Sequence, residues 1–201
     1  SEGPLNTRSI VTGIGAAMFL FAAATTPAYG QATAGGAVSG RSVFHIGGSF
    51  SKATVDNAES GFFGVGFFGG KMITHNICLG VSAGYDIVSY NKSDNGNYER
   101  LGIIPVQIKA VYFLRLNEMM QLYAAAGGGF YRVVPHLGVE PVGDIHTTET
   151  RPGGSVTIGF DYWFLLTSGI GFALEYHAFP PDDGDLFTYY AARVDYTLVR
   201  F

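Results

Sequence analysis

The feature of this 201-residue sequence that most restricts its fold is a period of two. From Ile77, apolar side chains recur at Leu79, Val81, Ala83, Tyr85 and Ile87, with Cys78, Gly80, Ser82, Gly84 and Asp86 between them. Successive side chains of an extended strand point to opposite faces, so this is a strand with one face turned to an apolar medium. The same alternation sets Val106, Ile108, Ala110, Tyr112 and Leu114 against Gln107, Lys109 and Val111. It sets Val156, Ile158, Phe160, Tyr162 and Phe164 against Thr157, Gly159, Asp161 and Trp163, and Ile170, Phe172, Leu174 and Tyr176 against Gly171, Ala173, Glu175 and His177. Weaker versions over 43–53, 61–71, 121–134 and 187–201 bring the predicted strands to eight. Short links near 72–76, 115–119 and 166–168 alternate with longer polar ones at 56–60, 91–99, 136–152 and 180–185. That rhythm predicts an all-β fold, an antiparallel up-and-down barrel whose even strand count leaves both chain ends at the short-turn end.

Alternation does not say which face points outward, because a soluble barrel shows the same period with its apolar side within. Composition decides. Only 14% of residues are charged, whereas a wall facing water needs roughly 25–35%. The less apolar faces hold mainly Gly, Ser, Ala and Thr, which suit a narrow filled lumen, and the 29 glycines allow close packing there. The apolar face therefore meets lipid and the barrel is transmembrane. The few charges on the other face are Asp86, Lys109, Asp161, Glu175, Arg193 and Asp195, of both signs, accompanied by Gln107 and His177. They are predicted to form a polar network paired across the lumen, since eight strands enclose side chains rather than a wide channel. Aromatics fall near the loop ends (Tyr90, Tyr98, Tyr131, Phe179, Phe187) and the turn ends (Tyr112, Phe113, Tyr123, Trp163, Phe164, Phe201), as two interfacial girdles would.

The N-terminal region reads differently. Arg8, the apolar run 10–24 and the small residues Ala28 and Gly30 have the layout of a secretory signal over 1–30, with cleavage expected before Gln31. The run is too short for a helix that must span hydrocarbon with about 20 residues. Residues 31–40 are then a short periplasmic segment and 41–201 the barrel domain. A net charge of −4 gives no reason to expect nucleic acid as a partner. The single cysteine, Cys78, excludes an internal disulfide and a cysteine-based zinc site.

Three features carry a resemblance: the Gly-aromatic strands, the segment Arg100-Leu101-Gly102-Ile103-Ile104-Pro105-Val106 leading into the fourth strand, and the terminal Phe201. In these the region after the leader resembles the small OmpA/OmpX-type outer-membrane barrels. The resemblance implies a place in the outer membrane of a Gram-negative cell, contact with outer-membrane lipids, and handling by the barrel assembly machinery, whose C-terminal aromatic signal Phe201 resembles. The family carries apolar residues at alternate positions before that aromatic. Val199 fits, but Thr197, Asp195 and Arg193 do not, while Leu198, Tyr196, Val194, Ala192 and Tyr190 form the better stripe. A bulge or register change is therefore expected near Val199, and a bulge or strand end at Pro105, which has no N–H to give a ladder.

No catalytic constellation stands out. Glu175 and His177 share a face and have the chemistry of an acid/base pair, yet on a lumen wall they read as a static polar pair. Lipid A deacylases, which this chain resembles in size, carry His-x-Ser-Asn, whereas His177 is followed by Ala178, Phe179 and Pro180. His136, Glu140, Asp144, His146 and Glu149 are metal-compatible types at irregular spacing, favouring a solvated loop. Gly127, Gly128 and Gly129 precede no Lys-Ser/Thr pair and read as close packing. Asp182, Asp183 and Asp185 lack the later ligands of a calcium loop and read as a polar turn. The expectation is a non-enzymatic barrel without metal or cofactor, structural or adhesion-like, meeting an extracellular ligand through its longer loops. The alternatives are a narrow pore for small or hydrophobic solutes, resembling OmpW-type proteins, and a lipid A-modifying enzyme.

Overall fold

The computed structural model describes residues 40–54, 62–91, 98–136, 149–180 and 186–200. The expected signal at 1–30, most of the 31–40 segment, the tips of the longer connections and Phe201 lie outside the described residues. Eight strands follow in order: β1 (Ser42–Ala53), β2 (Phe62–Met72), β3 (Ile77–Asn91), β4 (Tyr98–Arg115), β5 (Met120–His136), β6 (Glu149–Trp163), β7 (Ser168–Phe179) and β8 (Phe187–Arg200). Each pairs antiparallel with its neighbour in sequence, and β8 pairs with β1, so the sheet is closed. The eight-stranded up-and-down barrel expected from periodicity is the fold observed. At the short-turn end Ser42 stands opposite both Lys71 and Arg200, placing the start of β1 beside the end of β8.

The three tight connections are built from turn chemistry. Thr74 Oγ1 accepts from the Asn76 and Ile77 amides at 3.3 and 3.0 Å, and Asn117 Oδ1 accepts from the Met119 amide at 2.9 Å. Short polar side chains that satisfy nearby backbone donors let a strand reverse in four residues. Along the strands the parity is strict. Ile46, Val65, Val81, Ile108, Ile158, Phe172 and Val194 are exposed on the outside, whereas Ser49, Ser82, Gln107, Lys109, Asp161, Glu175 and Asp195 are buried within.

The interior departs from expectation in being layered. An apolar cluster at the turn end includes Val43, Phe68, Met72, Phe113, Tyr123, Trp163 and Val199. A second, toward the loop end, includes Val88, Ile103, Tyr131, Phe179 and Tyr189, with Phe187 packed on it. Five aromatics assigned by sequence to the girdles, Phe113, Tyr123, Tyr131, Trp163 and Phe179, are instead buried in the lumen. Nearness to a strand end does not fix the face; parity does, and theirs is inward.

Two expected irregularities are corrected. β8 keeps one register from Arg200 opposite Ser42 to Tyr189 opposite Ala53, with no bulge at Val199. Val199 joins the turn-end apolar cluster, so Thr197 and Asp195 point inward and Leu198, Tyr196 and Val194 outward without any slip. At Pro105 there is neither bulge nor strand end. The β3–β4 pairing lapses between Ala83↔Val106 and Asp86↔Ile103 and resumes in the same register. Gly84 lies across that gap, where a Cβ would stand 3.6 Å from Pro105 Cγ, so the ring is accommodated by a missing side chain rather than by a detour.

Adjacent glycines on β5 test this packing. A Cβ on Gly129 would run into the Val106 carbonyl and stand 2.7 Å from Gln107 Cα, whereas one on Gly128 meets nothing nearer than 3.8 Å. Gly129→Val is expected to cost about 3 kcal/mol or more and to lose the heat-dependent gel shift of a folded barrel. Gly128→Val should retain it; equal behaviour of the two would contradict the assigned faces.

Candidate functional site

Between the two apolar layers lies a band of polar side chains. Glu175 on β7 is its hub: it accepts a hydrogen bond from Lys109 Nζ on β4, and Arg193 Nη1 on β8 lies 3.5 Å from its second oxygen. His177 Nε2 lies 3.3 Å from the first oxygen. β4 and β7 are not neighbours in the sheet, so the Lys109–Glu175 pair crosses the lumen. Arg193 Nη2 also donates to Asp195 Oδ1 at 3.3 Å. The two cations occupy volume that glycines leave open, since a Cβ on Gly66 would meet the Arg193 guanidinium and one on Gly127 would stand 2.5 Å from Lys109 Cγ.

The remaining carboxylates are held by neutral donors. Asp86 accepts from Ser49 Oγ at 2.6 Å, Ser51 Oγ at 3.0 Å and the Tyr189 hydroxyl at 3.1 Å. Asp161 accepts from Gln121 Nε2 at 2.8 Å and Thr197 Oγ1 at 3.1 Å. Gln107 donates to the Tyr131 hydroxyl and accepts from Ser155 Oγ at 2.9 Å. Tyr131 in turn donates to the Gly154 carbonyl at 2.8 Å and sits 3.0 Å from His177 Nδ1. The His177 ring stacks on Tyr189 with centroids 4.3 Å apart. Taking such groups out of water is costly unless each is paired, and a connected network meets that condition.

The eight polar residues singled out by sequence, Asp86, Gln107, Lys109, Asp161, Glu175, His177, Arg193 and Asp195, all point inward, in linked groups rather than one chain of contacts. Sequence reasoning missed their partners Ser49, Ser51, Gln121, Tyr131 and Tyr189, and also His45. His45 packs edge-on against Phe68 and Tyr123 and borders a lumen cavity of about 40 Å³ together with Thr157, Lys109 and Arg193. His45 Nε2 and Thr157 Oγ1 have no protein partner, and the space admits a few waters that would supply one. In β1 apolar Val43 and Phe44 stand side by side, which hides the parity that reveals His45.

Other candidates dissolve. Glu140, Asp144, His146, Asp182, Asp183 and Asp185 lie outside the described residues, as does the side chain of His136, and Glu149 pairs with Arg151 at 2.5 Å. Among the described residues no group of three or more His, Cys, Asp or Glu is placed to hold a metal. The Gly127–Gly129 run lies inside β5, against backbone.

A closed sheet with an apolar outside and its ionic groups consumed inside is the architecture of an outer-membrane barrel. The chain belongs to the OmpA-like transmembrane domain family, which its sequence matches over residues 31–178. It is an integral β-barrel protein of the bacterial outer membrane. Among solved structures it is similar to the outer membrane protein OprG from Pseudomonas aeruginosa, at 9% identity over 84% of this chain and 99% of that one, with a TM-score of 0.61. Neisserial surface protein A is similar at 15% identity over 80% and 97% of the two chains, with a TM-score of 0.53. At such identities the likeness is one of fold. No curated protein matches the sequence.

The central ion pair gives a stability test. Lys109→Met leaves Glu175 buried with a diminished set of partners, a change expected to cost roughly 3 kcal/mol in urea unfolding from lipid vesicles. Adding Glu175→Gln should restore most of that loss. A single variant as stable as the parent would show that the pair does not hold the lumen together.

Proposed function

We propose that this protein is a non-enzymatic barrel that anchors a surface-contact role, with its specificity in the connections at 56–60, 91–99, 136–152 and 180–185. The observation carrying this reading is the closed lumen: apolar side chains fill both ends and the polar groups between them are engaged with one another. The strand ends that the longer connections join all lie opposite the tight turns, where a structural or adhesion-like protein meets an extracellular ligand. In this reading the lumen network of Asp86, Gln107, Lys109, Asp161, Glu175, His177, Arg193 and Asp195 is a scaffold, 1–30 is the secretory leader and 31–40 a periplasmic segment. Phe201 is the signal read by the barrel assembly machinery.

Catalysis has little support. Glu175 and His177, each with a side chain 2% exposed, lie inside the wall, out of reach of a substrate dissolved in the bilayer. The pore reading asks for an open lumen, and the filled interior speaks against it.

Two measurements test the proposal. Exchanging all four longer connections for short turns should leave the heat-dependent gel shift intact while abolishing attachment of protein-bearing vesicles to host-matrix-coated surfaces. In planar bilayers the parent is expected to give no sustained single-channel conductance; a steady current would favour the pore reading instead.

A further inference from the structure

The tight-turn end carries an unusual surface. A turn bathed in water is normally polar, yet here the three turns present Ile73, Leu116, Met119, Phe164, Leu165 and Leu166 as exposed large apolar residues, the last two 61% exposed each. They continue the lipid-facing wall rather than forming a separate patch. The Phe164 ring lies 6.4 Å from that of outward-facing Tyr196, and Tyr162 on the outer wall reaches Met119 Sδ at 3.8 Å. The wall's greasy surface thus runs past its tyrosines and over the turns.

Cations lie among these residues. Lys71 is exposed on the outer face of β2, opposite Ser42 on one side and exposed Leu79 on the other. Arg115 ends β4, its Nε held by the Asn117 carbonyl at 3.0 Å. Apolar side chains with cations at their margin fit the boundary where acyl chains meet anionic headgroups, since Lys and Arg lay their stems on hydrocarbon and put their charge among phosphates.

We propose that the tight-turn end is a lipid-docking surface: the turns sit within the headgroup layer of the periplasmic leaflet, with Lys71 and Arg115 engaging the phosphates of anionic phospholipids. Continuity with the wall argues for lipid over a second copy of the chain, and the sign of the charges argues for anionic lipid.

The test uses the whole protein in lipid nanodiscs, with a bimane label at Leu166→Cys or, separately, Leu116→Cys in a Cys78→Ala background. Each label should be quenched by lipids bearing a nitroxide at headgroup depth and shielded from aqueous iodide, whereas a label at Thr54→Cys on the loop side should be open to iodide. Iodide access at the turns equal to that at Thr54 would overturn the proposal. Replacing phosphatidylcholine with phosphatidylglycerol should deepen the shielding, and Lys71→Gln with Arg115→Gln should remove that gain, each cation being worth about fivefold in headgroup occupancy. Shielding indifferent to phosphatidylglycerol would overturn the role of the cations. Energy transfer between turn labels on two copies in vesicles would assign the surface to self-association and likewise overturn the proposal.

Discussion

Hydrocarbon offers a peptide group nothing to bond with, so each amide and carbonyl crossing the membrane must find its partner within the chain. For strands that requirement is met only by closure, and here β8 returns to β1 with twelve paired positions from Ser42↔Arg200 to Ala53↔Tyr189. Closure fixes much else. It removes every edge from the sheet, brings both barrel termini to the tight-turn end, and forces alternate residues into a tube too narrow for bulk water. Pro105 shows how far the constraint bends: the β3–β4 ladder lapses beside it, and register is nonetheless kept.

Filling that tube is the second problem, and its solution is layered. Aromatic and aliphatic groups occupy the two ends, where Trp163 and Phe113 on one side and Tyr131 and Phe179 on the other take up most of the width. Polar groups occupy the middle, where hydroxyls and amides hold Asp86 and Asp161 while Lys109 and Arg193 converge on Glu175. Glycine makes this possible at specific points. Gly66 and Gly127 supply the space into which the two long cations lie. The same network that would be an expensive burden in a soluble core is tolerable here because each group has its partner and the wall around it is rigid.

Much of the fold was legible in the sequence because a barrel writes its inside and outside on alternate residues. Where neighbouring positions differ sharply in polarity, as from Ile77 through Ile87 or Ile170 through His177, parity alone assigns both faces. It fails where inward residues are themselves apolar. Val199 looked like a misplaced outward residue and is part of the turn-end filling, and Tyr123 and Tyr131 looked interfacial because the lumen's need for bulky filler is not visible in a local pattern. Of the lumen network, the charged members were readable from their rarity. Ser49, Ser51 and Gln121 were not, since small polar residues on a strand are commonplace and only the closed geometry brings them to Asp86 and Asp161.

The whole account depends on which way the strands face. Photolysis of a lipid-dissolved carbene precursor in vesicles bearing the folded protein, read residue by residue by tandem mass spectrometry, tests that directly. Adducts are expected on Ile108, Ile158 and Leu174, with none on their neighbours Gln107, Thr157 and Glu175. Labelling of the second set in place of the first would contradict the orientation on which the fold, the lumen and the membrane location all rest.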